Sequence, residues 1–197
     1  MTGPYQARRS KPEAALTEQQ EASEDAVMTR IGQAVILLHA GDREEARNRL
    51  GEIWSEIGED GDSLHRCTLA HYMADAQDDP ADELAWDLRA LTAAEGLGER
   101  LPEAPPGPRP GDRPERREPQ RAVRVFYPSL HLSLAADYVK LRRPEAARVH
   151  LARARAATGA LSDDGYGNGV RAAIARLERR LATEPDEAPR PFPEQSP

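Results

Sequence analysis

Ala46, Leu50, Ile53, Trp54 and Ile57 fall at i, i+4, i+7, i+8 and i+11. That spacing lays apolar side chains along one face of an α-helix and is the strongest periodic signal in the chain. It recurs in Leu84, Leu88 and Leu91, in Leu130, Leu134, Tyr138 and Leu141, in Ala147, Leu151 and Ala154, and in Val170, Ile174, Leu177 and Leu181. No stretch reads as a credible strand. Composition points the same way, with 39% apolar and 31% charged residues and only two Phe and two Trp. Much of the apolar content is Ala and Leu, strong helix formers, whereas a β-sandwich wants β-branched and aromatic residues.

Breakers divide the helices into two blocks. Pro102, Pro105, Pro106, Pro108, Pro110, Pro114 and Pro119 stand among Arg and Glu between Gly98 and Ala122, a density that excludes helix and central strand. The expected organisation is a disordered tail over 1–22, hairpins over 23–97, a disordered Pro/Arg-rich insert over 98–122, a hairpin with a capping helix over 123–182, and a disordered tail over 183–197.

Within the first block a helix is expected from Ser23 or Glu24 to Ala40, with Gly41 ending it. Asp42 and Glu45 have capping-box spacing for the next helix. Gly58, Gly61 and Asp62 separate it from a third, near Ser63–Ala76, and Asp79–Pro80 opens a fourth. For that fourth helix the stripe Leu84, Leu88 and Leu91 is preferred over Ala81, Ala85 and Leu88, because it buries more carbon. The second block is expected to restart at Tyr127–Pro128 and to reopen at Pro144. A link holding Gly159, Gly165, Gly167 and Gly169 then precedes the last helix.

The first unit offers Ala34, Leu37, Gly41 at the turn, then Ala46, Leu50 and Ile53. The third offers Ala135, Tyr138, Arg142 at the turn, then Ala147, Leu151 and Ala154. The two match position for position without a gap. A middle unit with Ala70 and Met73 is looser. On these residues the chain resembles the tetratricopeptide repeat (TPR) family, over about two thirds of its length. The usual Trp and Leu-Gly pair of that family are missing. The resemblance implies an all-α fold of antiparallel hairpins stacked as a short TPR-like solenoid, about three pairs plus a C-terminal capping helix. It further implies a protein-binding groove lined by the first helix of each pair, which by position gives Met28, Val35 and His39, then Cys67, His71 and Asp75, then Leu132, Ala136 and Lys140. Val35 and Leu132 suit a core equally well.

Cys67, His71 and Asp75 are each four apart and share a helix face, so a metal site or a thiol nucleophile is a conceivable use. A buried cysteine beside a satisfied histidine is the commoner meaning of such a spacing, and no orienting group or oxyanion donor completes a catalytic set. Asp78-Asp79-Pro80-Ala81-Asp82 has the spelling of a diphosphate-binding aspartate motif, but Pro80 breaks the helix such a motif needs, and a capped, acidic helix start explains it. The Gly-x-Gly-x-Gly spelling at Gly165–Gly169 lacks a preceding strand and reads as a loop. The PxxP spellings in the insert fit a tether better than a docking peptide.

A net charge of −7 argues against nucleic acid as a partner. One cysteine excludes an internal disulfide. Met1–Gln20 lacks the apolar core of a signal peptide, and Ala34–Ala40 is too short to span a bilayer. The expectation is a cytoplasmic adaptor or scaffold that binds a protein or peptide, with no cofactor, no catalysis, no membrane and scope for homo-oligomers. The alternative is a small-molecule or metal-responsive sensor with a pocket around Cys67 and His71.

Overall fold

A computed structural model describes residues 11–99 and 118–183, with side chains throughout except at 11–21, 25, 97–99 and 118–123. Among the described residues there are seven helices and no strand. They are α1 (Lys11–Ala40), α2 (Arg43–Ile57), α3 (Ser63–Asp75), α4 (Pro80–Glu99), α5 (Glu118–Lys140), α6 (Pro144–Ala157) and α7 (Gly165–Thr183). A 3-10 turn, Thr158–Ala160, precedes α7.

The turns follow from local chemistry. Gly41 takes φ 93°, and its N–H donates to the Leu38 carbonyl (3.1 Å) while that of Asp42 donates to Leu37 (3.0 Å). The α5–α6 turn repeats this pattern. Arg142 takes φ 56°, its N–H donates to Val139 (3.1 Å), and that of Arg143 donates to Tyr138 (2.8 Å). Both are Schellman closures, which glycine enters freely and arginine only at a steric cost. Asp62 caps α3 by accepting from the N–H groups of Leu64 (2.9 Å) and His65 (3.1 Å). Asp79 accepts from Ala81 (2.7 Å) at the start of α4.

Four features depart from the sequence expectation. First, α1 begins at Lys11 rather than near Ser23, because Ala, Leu, Glu and Gln after Pro12 are all good helix formers and no breaker follows. Second, α5 begins at Glu118 and runs through Pro128. Pro119 lies in the first turn, where a missing N–H costs nothing. Pro128 is interior, so the Arg124 carbonyl loses its usual donor; tertiary burial of the Pro128 ring overrides this local preference. Third, Gly165, Gly167 and Gly169 belong to α7 itself. The Asp164 carboxylate accepts from the Gly167 N–H (2.8 Å), and a Cβ at Gly167 would collide with the Ser162 carbonyl. Fourth, Leu88 is 40% exposed, and Leu84, Asp87, Leu91 and Ala94 face inward instead. The expected tails and insert at 1–10, 100–117 and 184–197 lie outside the described residues.

Apolar clusters run from one end to the other. Ile31, Ala34 and Leu38 of α1 pack with Ala46, Leu50 and Ile53 of α2 and with Leu69 and Met73 of α3. Cys67 and Ala70 meet Ala90 and Ala94 of α4 and Leu130 of α5. Leu84 and Leu91 meet Leu134. Ala135, Val139, Ala147, Leu151, Val170 and Ile174 close the last cluster. The contact of α4 with α5 therefore joins the blocks on either side of the proline-rich segment into one interior. Each helix touches the next in sequence, and α1, α3, α5 and α7 also touch in that order. No described helix is long and apolar enough to cross a membrane.

Candidate functional site: a buried carboxylate cluster

Where α3, α4 and α5 meet, charged side chains are buried beside the apolar clusters. Asp87 of α4 is 2% exposed and Asp137 of α5 is 1% exposed. Both sit on apolar stripes, Asp87 between Leu84 and Leu91 and Asp137 between Leu134 and Leu141, so the folding of the stripes carries them inside. A buried carboxylate is tolerated only with partners. The Asp87 Oδ1 lies 3.2 Å from Nδ1 of His71 on α3. The Asp137 Oδ1 accepts from the Lys140 ammonium at 3.3 Å, and Lys140 also pairs with Glu83 of α4. The Oδ2 of Asp137 is buried with no hydrogen-bond partner.

The electrostatics follow from that arrangement. Burial, then the charges of Asp87 and Glu83, push the Asp137 carboxyl up to about 8, against the opposing pull of Lys140. When protonated, Asp137 can donate an O–H to Asp87, which turns a repulsive contact into a hydrogen bond. Burial pulls the His71 imidazole down, but the Asp87 hydrogen bond and the charges of Asp87, Asp75 and Asp137 outweigh it, and its pKa is raised. Asp75 is raised by burial and by Asp87 and Glu83, with His71 and Lys140 acting against them. Lys140 loses to burial and gains more from Glu83 and Asp137, a net rise. Four carboxyl groups thus share one ammonium and one imidazole, and a proton on Asp137 relieves part of the imbalance.

Of the nine groove positions expected from the sequence, His71, Asp75 and Lys140 come together in this cluster. Met28 and His39 are exposed on α1, while Val35 is half-buried against the first apolar cluster. Leu132 and Ala136 are half-buried on α5, with Leu132 packed on the last cluster. Cys67 is corrected outright as a groove residue: it is 1% exposed, packed among alanines and Leu130. Burial and the Asp87 charge push its thiol up to about 12, so it supplies neither thiolate nucleophile nor ready metal ligand. Glu83, Asp87 and Asp137 were missed. The signal that could have found the last two is an acid sitting on an apolar stripe.

A second polar group lies on α5 and α6. His131 and His150 approach through their Nδ1 atoms at 3.2 Å, with Tyr127 stacked on His131 and Tyr138 on His150. Burial, His150 and Arg153 lower His131 to about 4, and burial with Arg153 lowers His150. Both shifts favour the neutral rings, and in a neutral pair the Nδ1–H of one ring donates to Nδ1 of the other. Among the described residues, no group of three or more His, Cys, Asp or Glu side chains is arranged to hold a metal ion. No protein-family model, curated protein or solved structure matches the chain.

Proposed function

We propose that the chain is a TPR-like array of three helix pairs with α7 as its cap, acting in the cytoplasm as an adaptor that holds a segment of another protein. In this reading α1, α3 and α5 line the inner face and α2, α4 and α6 the outer one. The partner segment lies across α3 and α5, with its apolar side chains on the half-buried residues and its polar groups oriented by Asp75 and Lys140.

The observation that carries the reading is the carboxylate cluster. It draws on three helices of two hairpins, and its outer members, Asp75 and Lys140, are exposed while its inner ones are not. Polar groups at such a junction fix orientation, and their exposed ends are available to a ligand. Support for the array comes from the matching turns at Gly41 and Arg142 and from the buried triplets Ala46–Leu50–Ile53 and Ala147–Leu151–Ala154.

The test is comparative capture from native lysate with the wild-type chain, Asp75→Lys and Lys140→Glu, quantified by mass spectrometry and checked by far-UV circular dichroism. Proteins lost from both variants at unchanged helicity support the groove. An identical captured set for all three chains removes it.

A further inference from the structure

The face of α4 turned away from Glu83 and Asp87 borders a separate cleft of about 690 Å³, between the end of α2, the start of α3 and α4. Both tryptophans of the chain stand at it or directly behind it. Trp54 lines the cleft and packs edge-on against Trp86, with centroids 5.1 Å apart and planes at 87°. The Arg66 guanidinium lies 4.4 Å from the Trp54 ring centroid and that of Arg89 lies 4.6 Å from the Trp86 centroid. Arg66 donates to the Gly58 carbonyl and Arg89 to the Ala85 carbonyl.

Neither guanidinium is paired with a carboxylate of the described residues, although acids outnumber bases in the sequence by 34 to 27. Arg30, Arg47, Arg49, Arg155 and Arg171 each meet an acid. A guanidinium has five N–H donors, so each cleft arginine keeps most of its donors for something else. Stacking on an indole holds the fork in plane and thins its hydration. Leu88, 40% exposed, supplies apolar wall. The N-terminus of α3 contributes little, because Asp62 already takes its first free N–H groups.

We infer that this cleft binds a small molecule carrying a single carboxylate on a flat apolar body. The carboxylate meets Arg66 and Arg89, and the body lies against Trp54 and Leu88. The volume falls in the range of about 300–1,000 Å³ usual for small-molecule sites. Glu59 also lines the cleft and leaves no surplus of positive charge for a second anionic group. The site is independent of the groove on the other side of α4.

The experiment titrates naphthoate, neutral naphthamide and cationic naphthylmethylammonium into the full chain and follows the indole N–H signals of Trp54 and Trp86 by NMR. Naphthoate is expected to shift the Trp54 signal saturably with a dissociation constant of about 0.1–1 mM. The amide should bind at least about tenfold more weakly and the ammonium more weakly still. Arg66→Gln and Arg89→Gln should each weaken naphthoate about fivefold or more and leave the amide unchanged. Arg89 lies on the outer face of α4, so Arg89→Gln carries the test alone if Arg66→Gln fails to fold. Equal affinity for the three probes, no shift with naphthoate up to about 10 mM, or undiminished naphthoate binding by Arg89→Gln would each overturn the assignment.

Discussion

Burial of Asp137 beside Asp87 and Glu83 predicts a fold that is more stable in mild acid than at neutral pH. The Asp137 carboxyl is raised from 3.8 to about 8 by burial and by Asp87 and Glu83. A group whose folded pKa lies above its unfolded one binds more protons in the native state, so stability falls as pH rises between the two values. Each pH unit in that window is worth about 1.4 kcal/mol. Between about pH 5 and pH 7 the loss is therefore about 3 kcal/mol, a large share of a typical total of about 5–15 kcal/mol. His71, also raised, acts with the same sign: its contribution is present below the unfolded value of 6.5 and fades as pH passes the folded one. Asp75 is raised too and reinforces the trend. Glu56 and Asp78 are lowered by Arg30 and Arg47 and oppose it, but both are fully exposed and screened by solvent.

The assay is urea unfolding by far-UV circular dichroism at about pH 5, 6, 7 and 8, with Asp137→Asn in parallel. Between about pH 5 and 7 the wild-type free energy should fall by about 1.4 kcal/mol per pH unit from Asp137 alone, steepened by His71 and Asp75. The substituted carboxamide would be neutral at every pH and could donate its N–H to Asp87, as the protonated acid does. The variant should show a slope flattened to the residue left by His71 and Asp75, and should exceed the wild type by about 1–3 kcal/mol near pH 8 after losing the Lys140 pair. A wild-type slope that is zero or positive between pH 5 and 7, or an unflattened slope in the variant, refutes the reasoning.

Four other substitutions and one chemical probe test the fold itself. Arg142→Gly should raise stability by about 0.5–1 kcal/mol, since only glycine takes the left-handed turn without a Cβ penalty, and a fall in the urea midpoint would deny the Schellman closure at α5–α6. Gly167→Ala should cost about 2 kcal/mol or more, because its Cβ has no room beside the Ser162 carbonyl; thermal melting reads this directly. Leu50→Ala should cost about 2–5 kcal/mol and Leu88→Ala under about 1 kcal/mol, and a reversed order in chemical denaturation would mean the wrong face of α4 is buried. Cys67 should resist a thiol reagent such as dithionitrobenzoate in the native state and react at once in denaturant, so fast native labelling would contradict its burial.

The helices were legible because their signals are local. Asp42, Asp62 and Asp79 cap where the sequence puts them, and Gly41 ends α1, since each needs only residues one to four positions away. The departures share a different cause. Pro128 reads as a helix start because its local effect is to break a helix, and only the burial of its ring in the fold outweighs that. Leu88 reads as core because a leucine at i+4 from Leu84 fits the period. The helix turns one position away from that stripe, so Ala90 and Leu91 can meet α5 and Asp87 can meet His71. A rule that maximises buried carbon has no means of choosing an aspartate over a leucine.

The candidate site was half legible for the same reason. His71, Asp75 and Lys140 lie on the first helices of their pairs, so a resemblance to stacked hairpins places them on a common face without knowledge of any contact. Asp87 and Asp137 owe their roles to each other and to groups on other helices, across a proline-rich segment that hides their proximity. Each alone reads as a solvated acid; only on its stripe, at three residues from Leu84 or Leu134, does it become anomalous. Leucine at both positions would have been the simpler way to fill that junction, and buried ion pairs are often replaceable by carbon at no loss of stability. Two acids placed there, one with an oxygen that no donor reaches, make a junction whose stability depends on a proton. If the proposed groove takes a partner segment, a segment docked against Asp75 and Lys140 would act on the same charge balance that holds α3, α4 and α5 together, and its binding would be thermodynamically linked to protonation of Asp137.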